Sequence, residues 1–577
     1  MAVENLITEH IDIWTSAVKT KSTSGRGSSK KLELYGVNKL RELILELAVR
    51  GKLVPQDPND EPASVLLERI AAEKAQLVKD GKIKKSKGLG EISEDDRLKN
   101  IPSLWETARL GNLLYVEMGQ SPASKYYNQD HNGVPFFQGK ADFGERYPTA
   151  RYWCVQPQKY AYEGDVLLSV RAPVGPTNIS TEECCIGRGL AALRPISGVP
   201  TNYVYYMMQG FRKTLESFAT GTTFVAVSKV NVENLIISVP PLKEQHRIVD
   251  KVDELMTLCD QLEQQTEASI EAHQVLVTTL LDTLTNSADA DELMQNWARI
   301  SEHFDTLFTT EESIDQLKQT ILQLAVMGKL VPQDPSDEPA AKLLKRIAEE
   351  KAQLVKEKKI KKQKALPPIS EDEKPFELPS GWVWTHMDEL FYVSGGLQKT
   401  PKRTPVSNHF PYLAVANVQR GRLELDELKR FEVTPEELEQ YKLLAGDLMV
   451  VEGNGSENEI GRCAIWSEDV PDCLHQNHLI RCRPLIPALS FWVLNVLNSP
   501  LGINTMKSLA VTSSGLYNLS VGKIRGIFLP MPPLNEQKRI VSKVKELTSI
   551  CDQLKAHLNE SQATQLNLTD AIVEQAV

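Results

Sequence analysis

Apolar positions along this chain take three spacings in turn, and the same three are then run through again. Leu40, Leu43, Ile44 and Leu47 recur at i, i+3, i+4 and i+7, which predicts an amphipathic helix over 38–50 that Gly51 and then Pro55 stop. After the acidic turn Asp57-Pro58-Asn59-Asp60-Glu61-Pro62, Val65, Leu66, Ile70 and Leu77 predict a second helix over 63–79. The copies of this pair fall at 313–327 and 340–356. Next come short β-branched runs such as 165–170 and 447–451, bounded by Gly, Pro and Asn, which read as strands joined by turns. Helices expected over 202–217 and 490–508 make each of these stretches an α+β domain. The third spacing steps by four and three: Ile248, Val252, Leu255, Cys259 and Leu262, then Ile540, Val544, Leu547, Cys551 and Leu554. That is the heptad seam of a coiled coil. A helix from Leu242 to about Leu284, roughly 43 residues at ~1.5 Å each, spans on the order of 60 Å.

The repetition is literal in places. Gly51-Lys52-Leu53-Val54-Pro55-Gln56-Asp57-Pro58 returns from Gly328 to Pro335, an offset of 277 positions. Pro240-Pro241-Leu242-Lys243-Glu244-Gln245 returns with one change from Pro532 to Gln537, an offset of 292. Between these frames the sequences diverge but keep landmarks in order: Trp105 with Trp382, Tyr115 and Gly119 with Tyr392 and Gly396, Gly164-Asp165 with Gly446-Asp447, Arg194-Pro195 with Arg483-Pro484, and Ser228 with Ser520. The offset drifts inside the domains, so the extra length lies mainly in loops, where specificity is usually placed. The expected organisation is 1–101 helical frame, 102–239 first variable domain, 240–378 central frame, 379–531 second variable domain and 532–577 final long helix. One apolar stripe per half is most economically buried against the other, with the two long helices antiparallel about a pseudo-two-fold axis. The chain termini are then expected to lie close together, and the Ser/Gly/Lys-rich 21–31 reads as a flexible insert without a counterpart.

Length bears on this organisation, since 577 residues exceed what one core holds and suggest about three to five units. Hydrophobic residues at 41% with 25% charged match a soluble globular protein, and no apolar run approaches the ~18 residues of a membrane span. The first residues lack a signal-peptide pattern, so a cytoplasmic location is expected. The eight cysteines form no CxxC pair and no zinc-site spacing, which points to buried, reduced thiols and no metal site. The net charge of −10 argues against simple electrostatic nucleic-acid binding. Lysine runs at Lys82, Lys84, Lys85 and Lys87, and at Lys358, Lys359, Lys361, Lys362 and Lys364, read as solvated linkers.

No catalytic residues are expected. No phosphate-binding G-x-x-x-x-G-K-[ST] loop, dinucleotide fingerprint or Asn/Asp-Pro-Pro-aromatic signature occurs. The variable-domain loops instead hold amides, hydroxyls, cations and aromatics. Candidate DNA contacts in the first domain are Lys125, Tyr126, Tyr127, Gln138, Lys140, Arg146, Arg171, Arg188, Thr222 and Thr223. In the second they are Gln398, Lys399, Lys402, Arg403, Asn417, Gln419, Arg420, Asn454, His475, Gln476, Asn477, His478, Ser513 and Ser514. Arg and Lys suit guanine edges, Asn and Gln suit adenine, and hydroxyls suit phosphates. Residue types alone leave DNA binding and protein binding both open.

The element P-P-L-x-E-Q-x-x-I-V before a heptad helix, present from Pro240 to Val249 and from Pro532 to Val541, resembles the specificity subunit of type I restriction-modification systems. The long block around Gly51 to Pro58 and Gly328 to Pro335 resembles one branch of that family, with extended regions before each target-recognition domain. The resemblance covers almost the whole chain. It implies two α+β target-recognition domains, each reading half of a bipartite double-stranded DNA site, joined by long antiparallel coiled-coil helices. It also implies two modification subunits carrying S-adenosylmethionine and two motor-nuclease subunits using ATP and Mg, with no cofactor and no catalysis in this chain. A coiled-coil adaptor with two protein-binding domains is the alternative.

Overall fold

The computed structural model describes residues 3–22, 30–84, 89–218, 226–454, 459–513 and 516–577. It is a mixed helix and sheet protein that divides into two compact units. Unit 1 comprises 1–20, 32–268 and 562–577, and unit 2 comprises 21–31 and 269–561. The longest described helices of the frames are α1 (Tyr35–Val49), α2 (Ala63–Lys79), α3 (Leu242–Asn286), α4 (Glu311–Val326), α5 (Ala340–Lys356) and α6 (Leu534–Ala576).

The repeated sequence blocks are two halves of one contact set. In unit 1 the Trp105 indole Nε1 donates to Glu244 Oε2 (2.9 Å) and the Gln56 amide to Glu244 Oε1 (2.6 Å), while Arg247 pairs with Asp60 at 2.6 Å. In unit 2 Trp382 donates to Glu536 Oε2 (3.0 Å), Gln333 to Glu536 Oε1 (3.2 Å), and Arg539 pairs with Asp337 at 2.7 Å. Glu244 and Glu536 are each 1% exposed, and burial pushes both carboxyls above the usual range against the pull of their donors. Gln245 and Gln537 turn their amides back onto the carbonyls of Pro240 (3.0 Å) and Pro532 (2.8 Å) at the start of the long helices. Gly51 and Gly328 are required where they stand: φ is +69° and +71°, and a Cβ would lie 2.5 Å from the ring of Pro102 or Pro379. The next residue closes a long helix. Lys52 Nζ donates to the Val577 carbonyl (2.6 Å), and Lys329 Nζ to the carbonyls of Thr285 (3.0 Å) and Ser287 (2.9 Å).

In each unit a short-pair helix lies beside stretches of both long ones. Arg41 on α1 pairs with Asp260 (2.7 Å) and Glu263 (2.6 Å) on α3, and the Tyr35 hydroxyl donates to Asp570 on α6 (2.7 Å). In unit 2 Lys318 on α4 pairs with Asp552 and Asp315 with Lys555 (2.9 Å) on α6, while Gln274 on α3 donates to Glu312 (2.7 Å). Ile248, Val252, Leu255, Cys259 and Leu262 are buried, as are Ile540, Val544 and Cys551, whereas Leu547 and Leu554 are only partly so. The heptad-spaced positions are thus buried to different degrees, and their spacing alone does not call for the short-pair helix next to them.

The two variable domains share two larger sheets in one topology. The first domain uses β1 (Tyr115–Met118), β2 (Val134–Phe137), β3 (Tyr152–Cys154), β4 (Val166–Ser169), β5 (Thr177–Ile179), β6 (Cys184–Ile186) and β7 (Leu190–Arg194). The order β5-β4-β7-β1 forms one sheet, and β3-β2-β6 the centre of the other, with β2 and β6 parallel. The second domain uses β8 (Phe391–Gly395), β9 (His409–Leu413), β10 (Lys429–Glu432), β11 (Leu448–Val451), β12 (Cys463–Ile465), β13 (Leu474–His475) and β14 (Leu479–Pro484). Its sheets run β12-β11-β14-β8 and β10-β9-β13, with β9 and β13 parallel. Register agrees as well: Arg194 pairs with Tyr115 as Arg483 does with Tyr392, and Leu193 with Val166 as Cys482 does with Leu448. The buried carboxylates Asp165 and Asp447 each take the neighbouring guanidinium, Arg194 at 2.8 Å and Arg483 at 2.7 Å.

One expectation needs revision, and the structure adds detail to others. The helices over 202–217 and 490–508 are each broken in two, as Thr201–Gly210 with Arg212–Ser217 and Leu489–Asn498 with Pro500–Leu509. Pro500 has no N–H to continue the second, and Ser499 Oγ caps its restart by accepting from Gly502 N (3.3 Å). The duplication also begins earlier than the literal repeat: Ile7-Thr8-Glu9-His10-Ile11-Asp12 parallels Ile300-Ser301-Glu302-His303-Phe304-Asp305. In both, a turn starts at the histidine carbonyl, which accepts from Ile13 and Trp14 in one and from Thr306 and Leu307 in the other. Segment 21–31 includes the ends of the strands Lys19–Ser22 and Lys30–Glu33, which form a two-stranded sheet, and its residues 23–29 fall outside the described residues. Of the termini expected to meet, Val577 sits at the end of α1 and Met1 is outside the described residues.

Candidate nucleic-acid interface

At one edge of the first variable domain, three loops leave the ends of β1, β2 and β6 and are laced together through their backbones. Gln120 N donates to Ile186 O (3.0 Å) and Gly187 N to Phe137 O (2.8 Å), and Ser121 Oγ accepts from Arg188 N (3.2 Å). The second domain repeats the lacing with Leu397 N to His475 O (2.9 Å), Gln476 N to Leu413 O (3.0 Å) and Asn477 N to Leu397 O (2.8 Å). Both edges need a glycine at the first crossing. A Cβ on Gly119 would lie 2.1 Å from Gly187 O, and one on Gly396 would lie 2.4 Å from Gln476 O.

Several predicted contacts sit exposed on these loops. Gln138 and Lys140 follow β2, Arg188 tips the loop between β6 and β7, and Lys125 lies in a 3-10 turn with Nζ 4.8 Å above the Tyr126 ring. On the second edge Gln398, Lys399 and Lys402 are exposed after β8, and Lys402 occupies a 3-10 turn placed like that of Lys125. Gln476 and Asn477 are half-buried and His478 is 57% exposed, its Nδ1 3.7 Å from Glu452. Arg171 is exposed in a loop whose backbone bridges to Ala226.

Other candidates are structural. Arg403 is held bidentately by Glu437 (2.8 and 3.1 Å) and donates to Gln398 O (3.1 Å), and this pairing raises the guanidinium pKa and lowers that of the carboxyl. Arg146 stacks near Tyr205 and Tyr206 and reaches Asp253 on α3 at 3.4 Å, so it ties the domain to the long helix. Asn417 closes its own turn, accepting from Ala414 N (2.9 Å) and donating to Glu424 O (2.9 Å). The Gln419 side-chain oxygen accepts from Arg462 (2.8 Å), and Arg420, its pKa lowered by burial, points to Asn498 and the Ile460 carbonyl. His475 is 0% exposed, and burial, helped by Arg481, drives its pKa down to about 3. Such an imidazole is a neutral core group, with Nδ1 3.2 Å from Tyr441 O. Tyr127 packs edge-on to Tyr152 and tilted on Phe136. Alternation explains the misses at Tyr127 and His475, since consecutive strand residues face opposite sides, whereas Arg146, Arg403, Gln419 and Arg420 sit in turns or loops and are fixed by partners distant in sequence or by burial.

Thr222, Thr223 and Ser514 lie outside the described residues. Asn454 and Ser513 are on short strands, Gly453–Asn454 and Val511–Ser513, paired through Leu516–Asn518. Ser121 was not anticipated; its position in a polar loop after a glycine-ended strand is the only sequence sign of it. Among the described residues no three His, Cys, Asp or Glu are grouped as metal ligands, and no helix is long and apolar enough to cross a membrane.

The family model described as the type I restriction modification DNA specificity domain matches residues 102–272. The EcoAI type I restriction enzyme specificity subunit of Escherichia coli is 43% identical over 597 residues, covering 100% of both chains. The chain belongs to the type I restriction enzyme specificity subunits. The EcoEI specificity subunit of Escherichia coli is 42% identical over 603 residues, again covering 100% of both. Among solved structures, the HsdS subunit from Thermoanaerobacter tengcongensis is 32% identical over 44% of this chain and 62% of its own, with a TM-score of 0.27. A specificity subunit is the non-catalytic component that recognises DNA, and it acts together with other restriction-modification subunits.

Proposed function

We propose that this specificity subunit reads a bipartite DNA site, one half through 102–239 and the other through 379–531, with 1–101, 240–378 and 532–577 as the frame. On this reading α3 and α6 form an antiparallel coiled coil, the two halves are related by a pseudo-two-fold, and the helices set the half-sites about one turn of DNA apart, ~34 to 36 Å. The frame docks two modification subunits, which carry S-adenosylmethionine and methylate adenine. Two motor-nuclease subunits, using ATP and Mg, complete a cytoplasmic restriction complex. The observation that carries the reading is the pair of reading edges: one backbone lacing, from Gln120 to Ile186 and from Leu397 to His475, presents different side chains in the two domains. Contact of α1 with Asp260 on α3 and with Asp570 near the end of α6 supports the antiparallel arrangement. The net charge of −10 fits a subunit whose partners supply much of the phosphate contact.

The test is the affinity of the full chain, assembled with its modification subunits, for a duplex carrying its site as salt is raised. Each neutralised phosphate contributes about −0.9 to the slope of log affinity against log salt, so several contacts give a steep fall. A flat dependence, with a protein retained in place of DNA, would support an adaptor instead.

A further inference from the structure

The reading edges match bond for bond at one loop, and in the first domain that loop isolates one side chain. Between β6 and β7 the chain runs Ile186-Gly187-Arg188-Gly189-Leu190; between β13 and β14 it runs His475-Gln476-Asn477-His478-Leu479. Four hydrogen bonds fix the equivalence. Gly187 N to Phe137 O matches Gln476 N to Leu413 O, and Gln120 N to Ile186 O matches Leu397 N to His475 O. Leu190 N to Gly187 O (3.0 Å) matches Leu479 N to Gln476 O (2.9 Å), and the amides of Arg188 and Asn477 are both fastened to the first loop, at Ser121 Oγ and Leu397 O. Arg188 thus stands where Asn477 stands.

The first domain shows why this position is singled out. A Cβ on Gly189 would lie 2.4 Å from Gln138 O, and one on Gly187 would lie 3.1 Å from Gln138 Cα. The flanks are therefore pressed against the second loop, and the tip presents Arg188 alone. Arg188 is exposed, and among the described residues no hydrogen bond or ion pair holds its guanidinium, unlike those of Arg146 and Arg403. A free fork on a backbone anchored from three strands loses little freedom on meeting a planar acceptor pair.

We propose that this tip is the base-reading position of each domain, with Arg188 contacting a guanine edge in one half-site and Asn477 an adenine edge in the other. The assignment follows from chemistry: a guanidinium fork matches guanine O6 and N7, and a carboxamide matches adenine N6 and N7. It rests on the reading of the chain as a two-part DNA reader and names which residue specifies.

The full chain assembled with its modification subunits is assayed against duplexes in which each base pair of the site is varied in turn. For Arg188→Ala, discrimination falls roughly five- to 150-fold at a single guanine of one half-site, the range of one bidentate base contact. Arg188→Lys keeps the charge but not the fork and does not restore the selectivity, and Asn477→Ala produces its loss at a single adenine of the other half-site. A uniform weakening across all sequences marks a phosphate contact and overturns the proposal, as do unchanged preferences; the wild-type selectivity seen alongside leaves the DNA-reading function standing. A wild-type complex without sequence preference overturns both.

Discussion

The surroundings of Glu244 and Glu536 and the loop tips at Arg188 and Asn477 are duplicated to different depths. Around the glutamates the same atoms recur, indole, amide and carboxylate, within a few tenths of an ångström in the Trp105 and Trp382 bonds. At the tips only the backbone bonds recur, and the side chains are an arginine and an asparagine. A frame contact buried at 1% exposure tolerates no change of donor set, because an unmatched polar group there costs stability. A side chain with open access to solvent, as Arg188 fully and Asn477 partly has, changes on a fixed backbone with less of that penalty, as the proposed two-part reading requires.

The sharpest way to break this comparison is to remove the acceptor. Glu244→Ala leaves the buried Trp105 indole N–H unmatched, and Glu536→Ala does the same for Trp382, while Gln56 and Gln333 keep the Gly51 and Gly328 carbonyls. Each is expected to cost about 1 to 3 kcal/mol by denaturant titration, from one unsatisfied buried group. Glu→Gln, which keeps one acceptor oxygen, costs less at both sites. Unequal losses between the units would break the equivalence of the frames.

A pH titration separates the variable domains. Ile186 occupies in the first the place of His475 in the second. The folded-state pKa of His475 lies near 3, below its ordinary 6.5, so under pH 6.5 the unfolded chain binds a proton that the folded chain refuses. Stability is fully present above pH 6.5 and falls as pH drops toward 3, by up to about 1.4 kcal/mol per pH unit. His475→Gln is expected to flatten that part of the profile. A profile unaltered by the substitution would mean the imidazole is not a buried neutral group.

Arg403→Ala has the smallest expected effect, about 1 kcal/mol or less from a partly exposed ion pair with Glu437, with site selection unchanged. Methylation mapping checks it. A changed motif would place Arg403 among the base contacts and move the boundary drawn between lock and reader.

The frame was legible because its signals are periodic or literal: α2 and α5 fall on the expected residues, and Cys259 and Cys551 are buried in the heptad stripe. The candidate site was legible only as a set of loops. Composition puts Arg188, Arg403 and His475 in one class, yet Arg188 is exposed, Arg403 is clamped by a glutamate 34 positions away and His475 is on the inner face of a strand. Those differences arise from long-range pairing, which local sequence does not carry. The earlier start of the duplication, at Ile7 and Ile300, was hidden by the unmatched hairpin segment that shifts the offset.

The most direct test of a two-part reader is to replace residues 102–239 with the corresponding domain of another specificity subunit and map the methylated adenines. The predicted result is a new sequence in one half of the motif, with the other half and the spacing retained. A change in both halves, or in the spacing alone, would contradict independent reading by the two domains.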